Sequence, residues 1–191
     1  MTSLPHGRTA DHAANPGHSS IRRMTARDVE AVVALERATP EAPHWSRDDY
    51  ESILATQPGP IGRAALIAES HGQLEGFAVM RHLQLPSSPG HSQQVHCELE
   101  SIVVAANLRA RGIGLQLMNA MLDLAASIGA DRFELEVRAS NQPAIRLYKR
   151  VGLTLQGRRP NYYSDPTDDA VLMAKILNPA MQETPSTDDR K

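Results

Sequence analysis

A short turn rich in glycine and arginine is the segment whose residue types and spacing most directly suggest chemistry. Residues 109–114 have the sequence Arg109-Ala110-Arg111-Gly112-Ile113-Gly114. The first N–H groups of a helix and its dipole favour an anion, and glycine, which has no Cβ, lets the backbone approach a ligand closely. With two arginines added, the turn could hold a pyrophosphate group. Taken alone, it is equally compatible with a surface turn that binds nothing.

The turn differs from the two best-known phosphate-binding motifs. No Gly-Lys-Ser/Thr follows it, so it is not the loop of a nucleoside-triphosphate-binding protein. Neither a third glycine nor an acidic ribose partner stands at the place that a dinucleotide fold requires, which argues against that fold.

Strand and helix signals alternate around this turn. Capping boxes at Thr25/Asp28 and Ser46/Asp49 each predict the start of a helix, and Gly129 ends an apolar stripe of helical spacing. The predicted helices are 25–36, 47–55, 114–128 and a short one from about 143 that ends before 152. The predicted strands are 21–24, 64–69, 74–83, 95–104, 133–137, 153–158 and 170–176, with a hairpin turn at 71–72 and a loop at 85–92. This order predicts a mixed α/β (α+β) fold.

Length and composition bound the function. The chain has 191 residues and 41% hydrophobic content, which predicts one globular domain. A net charge of -2 gives no sign of a broad nucleic-acid surface, and no secretory signal or bilayer-spanning segment is apparent, so we expect a cytoplasmic location. The lone Cys97 can form no internal disulfide and is expected to be a buried, inert thiol.

Both ends of the chain are polar. We predict a disordered extension over residues 1–19 and a disordered tail over 178–191, on either side of a domain at 20–177. His6, His12 and His18 in the extension could bind a metal, but nothing periodic would hold the three rings together, so we expect no metal.

Downstream of the turn, three further segments form a pattern with it. They are Leu135-Glu136-Val137-Arg138-Ala139-Ser140-Asn141, Ala144-Ile145-Arg146-Leu147-Tyr148 and Arg159-Pro160-Asn161-Tyr162-Tyr163. Together with Arg109-x-x-Gly112-x-Gly114 they resemble the GNAT superfamily of acyl-CoA-dependent N-acetyltransferases. When Trp45-Ser46 and the segment 168–173 are included, the sequence is similar to the bacterial RimI-type ribosomal-protein-alanine N-acetyltransferases. The resemblance covers about residues 20–177.

The resemblance implies a fold and a role for each matching residue. It implies a mixed, mostly antiparallel central sheet, flanked by helices and splayed at the acyl-CoA site. Glu136 corresponds to the general base and Tyr148 to the general acid. The implied acetyl-CoA contacts are the main chain of Ile102, Val103 and Val104, the turn residues Arg109, Ala110, Arg111, Gly112, Ile113, Gly114 and Leu115, and Asn141. Trp45, Tyr162 and Tyr163 would shape the acceptor groove.

Elementary acid–base chemistry is consistent with an α-amine acceptor. An N-terminal amine has a pKa near ~7.7–8.0 and is partly neutral in the cell, whereas a lysine near ~10.4 is neutral only about one part in a thousand. A modest base such as Glu136, acting directly or through water, therefore suits an α-amine. A tyrosine near ~10 keeps its proton at neutral pH and could protonate the leaving thiolate.

Each assignment has a structural alternative. Glu136 could face solvent beside Glu134, and Tyr148 could be a core-edge residue with a hydrated hydroxyl. Asn141 could simply cap a helix, and the aromatic residues could be packing residues. The sequence also departs from the family pattern at His44, Leu153 and Asp168, where proline, phenylalanine and glutamate are usual. The first of these changes lies in the acceptor loop.

The expected function is Nα-acetylation of the N-terminal alanine of a small-subunit ribosomal protein, with acetyl-CoA as donor. A lysine or small-molecule amine acceptor is the main alternative, and a non-catalytic acyl-CoA-binding module is a further one. We expect no direct contact with nucleic acid or membrane. The sequence leaves the oligomeric state open and is compatible with a monomer.

Overall fold

The computed structural model describes residues 19–55, 59–85 and 93–178. The predicted N-terminal extension with its three histidines and most of the predicted 85–92 loop lie outside the described residues. The same holds for the C-terminal tail after residue 178.

Every helix and strand predicted from the sequence is present, with small differences in length. The strands are β1 Ser20–Arg23, β2 Ile61–Ser70, β3 Gln73–Leu85, β4 Gln94–Val104, β5 Arg132–Arg138, β6 Thr154–Ser164 and β7 Thr167–Ile176. The helices are α1 Val29–Arg37, α2 Arg47–Leu54, α3 Ile113–Ser127 and α4 Gln142–Arg150. Single 3₁₀ turns, Ala26–Asp28 and Ala106–Leu108, follow β1 and β4.

The predicted capping boxes form at the first two helices. The backbone N–H of Ser46 donates to the Asp49 carboxylate at 2.7 Å, and the Ser46 hydroxyl accepts from the Asp49 N–H at 3.2 Å. At the first site the backbone N–H of Thr25 donates to Asp28 at 2.8 Å. This box opens the 3₁₀ turn, so α1 begins at Val29, four residues after the predicted start of the helix.

The strands form one seven-stranded sheet in the order β1-β2-β3-β4-β5-β7-β6. All neighbours are antiparallel except β4 and β5, which are parallel. These two pair only at His96 with Arg132, Cys97 with Phe133, and Glu98 with Glu134. Beyond those pairs the two strands continue to Val104 and Arg138 without pairing with each other. The sheet is therefore splayed there, as the fold prediction expected.

Helices cover the two faces of the sheet and create two cores. Phe77 and Val79 of β3 pack under α1 and α2, while the alternating Ala78 and Met80 pack under α3 and α4. Burial of each large side chain, such as the fully buried Phe133 in the α3 core, contributes about 1.5–3 kcal/mol.

The same alternation sets the direction of the side chains on β5. Phe133, Leu135 and Val137 are buried in the α3 core. Glu134 and Glu136 therefore point to the other face, the one that α1 and α2 partly cover.

A three-residue ion network ties the N-terminal strand to the sheet. The Arg22 guanidinium donates to both oxygens of Asp28, at 2.8 Å each, and to both oxygens of Glu69, at 3.0 and 2.8 Å. The Arg22 hydrogen bonds hold the pKa of Asp28 well below its ordinary value of 3.8. The network joins β1, the first capping box and β2.

We predict that Asp28→Asn lowers the free energy of unfolding by about 1–2 kcal/mol at pH 7, because charged hydrogen bonds to Arg22 are lost. Because folding lowers the Asp28 pKa far below 3.8, its contribution is complete above pH 3.8 and is lost gradually as the pH falls from there towards the pKa of the folded state. Denaturant titrations at pH 7 and pH 2 should show the full difference from wild type at the first pH and a clearly smaller one at the second. The exposed Asp123→Asn serves as control, and an equal loss at both pH values would contradict the role of the ion network.

Candidate active site

The predicted anion-binding turn lies at the open end of the sheet, between β4 and α3. Gly112 immediately precedes α3 with a φ of 89°, and Ala110 also adopts a positive φ, 63°. The N-cap residue of α3 is Gly112, which has no side chain to cap the helix, so the helix start is suited to bind an anionic ligand through its N–H groups. The Arg109 Nε donates to the Val104 carbonyl oxygen at 3.2 Å, which holds the turn against the end of β4.

The two glycines of the turn have different surroundings. A Cβ at Gly112 would meet no atom within 4 Å, so its backbone angle requires glycine while its surroundings are open. A Cβ at Gly114 would lie 3.2 Å from Leu147 Cδ2 and 3.8 Å from Val104 Cγ2. Gly114 therefore makes room for α4, and its predicted contact with a ligand stays a prediction.

The predicted pantetheine-binding residues lie on the unpaired side of β4. Ile102, Val103 and Val104 pair with β3, where they face Ala78, Phe77 and Gly76. Among the described strands, none pairs with the other side of β4 after Glu98. Backbone N–H and C=O groups of this segment are thus open to a ligand in the gap between β4 and β5.

Glu136 lies on the α1/α2 face of β5, beside the gap. Its side chain is 24% exposed, and its Oε1 lies 2.8 Å from Nη1 of Arg159 on β6. The Glu136 side chain is thus neither fully buried in a core nor exposed without a partner. The sequence alternative that it merely faces solvent beside Glu134 is incomplete, because Glu134 pairs with Arg132 instead.

Tyr148 lies on α4 and is buried against the α3 core, with 5% of its surface exposed. Burial, with a smaller effect from Tyr163, raises the pKa of Tyr148 well above its usual value. The hydroxyl therefore keeps its proton throughout the neutral range and can act as a donor.

Tyr163 on β6 lies within electrostatic range of both predicted catalytic residues. Its own pKa is raised by burial and then by Glu136, and it contributes to the raised pKa of Tyr148. The Arg138 guanidinium lies 4.2 Å from the Tyr163 ring centroid, and Tyr162 meets the same ring edge-on at 5.2 Å. Tyr163 thus lies near both Glu136 and Tyr148, the residues predicted to be the general base and the general acid.

The loop between α1 and α2 is fixed by aromatic packing. Trp45 is half-buried and lies 5.7 Å from the Tyr50 ring, which in turn meets Phe77 edge-on at 5.9 Å. This stack carries Trp45 on the same face of the sheet as Glu136. His44, which replaces the usual proline, adopts a positive φ of 60°.

Asn141 caps α4, because its side-chain oxygen accepts a hydrogen bond from the Ala144 N–H at 3.2 Å. The structural alternative from the sequence is therefore correct, and a contact of Asn141 with a cofactor stays a prediction. Cys97 is buried and its pKa is raised to about 11 by burial, which confirms the expectation of an inert thiol.

Comparison with known proteins adds the family. Residues 29–153 match the Acetyltransferase (GNAT) family. The chain belongs to this family.

Two relatives and one solved structure illustrate its place there. A Bacillus subtilis protein provisionally named a ribosomal protein bS18-alanine N-acetyltransferase is 29% identical over 164 residues, which cover 84% of this chain and 97% of that protein. The Escherichia coli L-amino acid N-acetyltransferase AaaT is 29% identical over 166 residues, covering 82% and 96%. The crystal structure of the Escherichia coli ribosomal-protein-S18-alanine N-acetyltransferase aligns at a TM-score of 0.65 and 25% identity, covering 87% and 99%.

Family membership confirms the predicted fold, the acetyltransferase class and acetyl-CoA as donor. The roles of individual residues in this GNAT acetyltransferase stay predictions. Within the described ranges, no three His, Cys, Asp or Glu side chains are grouped so as to hold a metal ion. None of the described helices is long and apolar enough to cross a membrane.

Two residues near the site were missed from the sequence. Arg159 was seen only as part of a motif, because its pairing with Glu136 depends on strand register. Glu36 is completely buried in the last turn of α1, beside Tyr50, and burial raises its pKa. Its position could have been found, because residue 36 continues the 29–32–33 apolar stripe of α1.

We predict that Gly112→Ala both destabilises this acetyltransferase and weakens acetyl-CoA binding. An alanine at positive φ costs about 1–2 kcal/mol, and the turn would shift to relieve this strain. Gly129→Ala is a matched control, since Gly129 has a φ of 75°, follows the other end of α3 and also has no atom near its missing Cβ. Thermal unfolding and calorimetry should show similar stability losses but weaker acetyl-CoA binding only in Gly112→Ala. Equal affinities in the two variants would remove the turn from the donor site.

Proposed function

We propose that this acetyltransferase transfers the acetyl group of acetyl-CoA to the N-terminal alanine amine of a small-subunit ribosomal protein. The observation that carries the proposal is the position of Glu136, whose carboxylate lies beside the sheet gap on the face that bears Trp45. The likeness to two alanine N-acetyltransferases along most of the chain supports the choice of acceptor.

The residues divide the chemistry between the two sides of the gap. The amine of the acceptor attacks the thioester carbonyl carbon, and Glu136 accepts the proton that this nitrogen loses, directly or through water. Backbone N–H groups at the end of β4 stabilise the negative charge on the carbonyl oxygen. As the carbon–sulfur bond breaks, Tyr148 gives its proton to the departing sulfur, and the products are the amide and CoA.

Protonation states favour an α-amine over a lysine. An N-terminal amine with a pKa near ~7.7–8.0 is already partly neutral, so little work is left for the base. A lysine with a pKa near ~10.4 would need about 3–4 kcal/mol more, and Glu136 is a half-buried carboxylate paired with an arginine, which is a weak base for that task.

A small-molecule amine is the second candidate, and the likeness to an L-amino acid N-acetyltransferase favours it. A free amino acid offers the same α-amine but no following peptide to lie along Trp45 and Tyr162. A non-catalytic acyl-CoA-binding module would need neither Glu136 nor Tyr148. With this acceptor we expect a cytoplasmic location and no direct contact with nucleic acid or membrane. The oligomeric state is left open.

Intact-mass analysis after incubation with acetyl-CoA tests the acceptor. We expect one acetyl group on a peptide that begins with alanine, and none on the same peptide with a blocked N-terminus or with lysine as its only amine. Free alanine should react far more slowly. Acetylation of the lysine peptide, or of free alanine at the rate of the peptide, would overturn the proposed acceptor.

We predict that Glu136→Gln and Tyr148→Phe each lower kcat by about 100-fold or more, because each removes one proton-transfer group. Acetyl-CoA affinity, measured by calorimetry, should change little in either variant. Glu134→Gln is a matched control, since Glu134 lies on the same face of β5 two residues earlier. Full turnover in both test variants would contradict the assigned roles.

A further inference from the structure

Arg159 forms the one ion pair that involves Glu136 within the described part of the chain. Its Nη1 lies 2.8 Å from Glu136 Oε1, and the arginine side chain is 53% exposed. The carboxylate proposed to receive the acceptor's proton is therefore already in contact with a cation of the protein itself.

The backbone around Arg159 is held in place, while its side chain is half-exposed. Arg159 pairs with Ala170, and the next register pair joins Tyr163 to Asp168, so residues 160–162 bulge out of the β6–β7 ladder. Asp169 anchors this bulge by accepting hydrogen bonds from the Asn161 N–H at 2.8 Å and from Arg158 Nε at 2.6 Å.

The Arg159 guanidinium also lies beside an aromatic ring of the bulge. Its Cζ is 5.5 Å from the centroid of the Tyr162 ring, which is within the range of a cation–π contact. Tyr162 is an exposed aromatic residue, so this contact lies outside the core. Because the ring contact is present together with the ion pair, the guanidinium keeps a favourable neighbour when another cation binds Glu136.

Two other arginines on this face of β5 have different partners, and the first of them, Arg132, pairs with Glu134. Arg138 donates to the carbonyl oxygens of Asp165 and Pro166 at 2.8 and 2.9 Å and lies over the Tyr163 ring. It fixes the turn between β6 and β7. Arg159 is therefore the cation that an incoming acceptor would meet at Glu136.

We propose that Arg159 is a positioning residue that occupies Glu136 in the free enzyme and is displaced by the acceptor's ammonium group. The proposal rests on the proposed role of Glu136 and deepens it. Both cations seek the same carboxylate, so they compete. In the free enzyme the pair keeps Glu136 oriented towards the acceptor face. In the acceptor complex the guanidinium lies over Tyr162 and the amine takes its place.

The competition has a measurable size. A half-exposed ion pair contributes about 0.2–1 kcal/mol, which corresponds to about a 1.5- to 5-fold change in binding. Arg159→Gln should therefore lower the acceptor KM by about 1.5- to 5-fold and leave kcat and the acetyl-CoA KM unchanged. Arg159→Lys should return the acceptor KM towards the wild-type value, because a lysine can also pair with Glu136.

Steady-state kinetics with an alanine-starting peptide measures these constants, with Arg27→Gln as control. Arg27 is an exposed arginine of the 3₁₀ turn that follows β1, at the other edge of the sheet from β6. Its substitution should leave both acceptor constants unchanged. A rise in the acceptor KM of Arg159→Gln would show that Arg159 binds the acceptor, and an unchanged KM would show that it does not compete. Either result overturns the proposal.

A second measurement does not depend on catalysis. In the free protein, the NMR signal of the Arg159 side-chain N–H should be shifted and slow to exchange in wild type but not in Glu136→Gln. If the peptide is not acetylated yet this difference appears, the proposed acceptor fails while the ion pair stands. If the signal is the same in both proteins, the proposal that Arg159 occupies Glu136 in the free enzyme fails, whatever the acceptor is.

Discussion

The site depends on the fact that the pairing between β4 and β5 stops well before the two strands end. Only three residue pairs join these parallel strands before they separate. A backbone polar group that neither water nor a partner reaches costs about 1–3 kcal/mol, so a sheet can open in this way only where solvent or a ligand satisfies the freed groups. The gap therefore leaves backbone groups that water or a ligand can pair with, and the side chains proposed for catalysis are arranged around it.

Two cores hold the gap open from opposite faces. Alternating residues of β2 and β3 are buried under α1 and α2 on one face and under α3 and α4 on the other. The buried α3 core also fixes β5, so Glu136 must point to the opposite face from Tyr148. The proposed acceptor amine and the proposed proton donor for the departing sulfur thus approach the reacting carbonyl from opposite faces of the sheet, at the gap between β4 and β5.

Local signals were sufficient to predict the elements of this fold. Capping boxes, the Gly129 helix stop and the alternation along 133–137 depend on neighbours in sequence, and each was confirmed. Contacts that depend on strand register were not predictable. The pairing of Glu136 with Arg159 depends on the register of β5 with β7 and of β7 with β6, and Gly114 lies against Leu147 of another helix. The resemblance to acetyltransferases proposed a role for each matching position, and those roles stay predictions, whereas the physical surroundings of the positions came only from packing.

The most direct test of the central claim is amide hydrogen exchange of the full chain with and without acetyl-CoA. If the donor occupies the gap and the first turn of α3, exchange should slow at residues 99–104 and 110–115, while the edge strand β1 at Ser20–Arg23 is unchanged. Acetyl-CoA binding that leaves exchange at both segments unaltered would contradict the account, because the donor would then lie elsewhere on the protein.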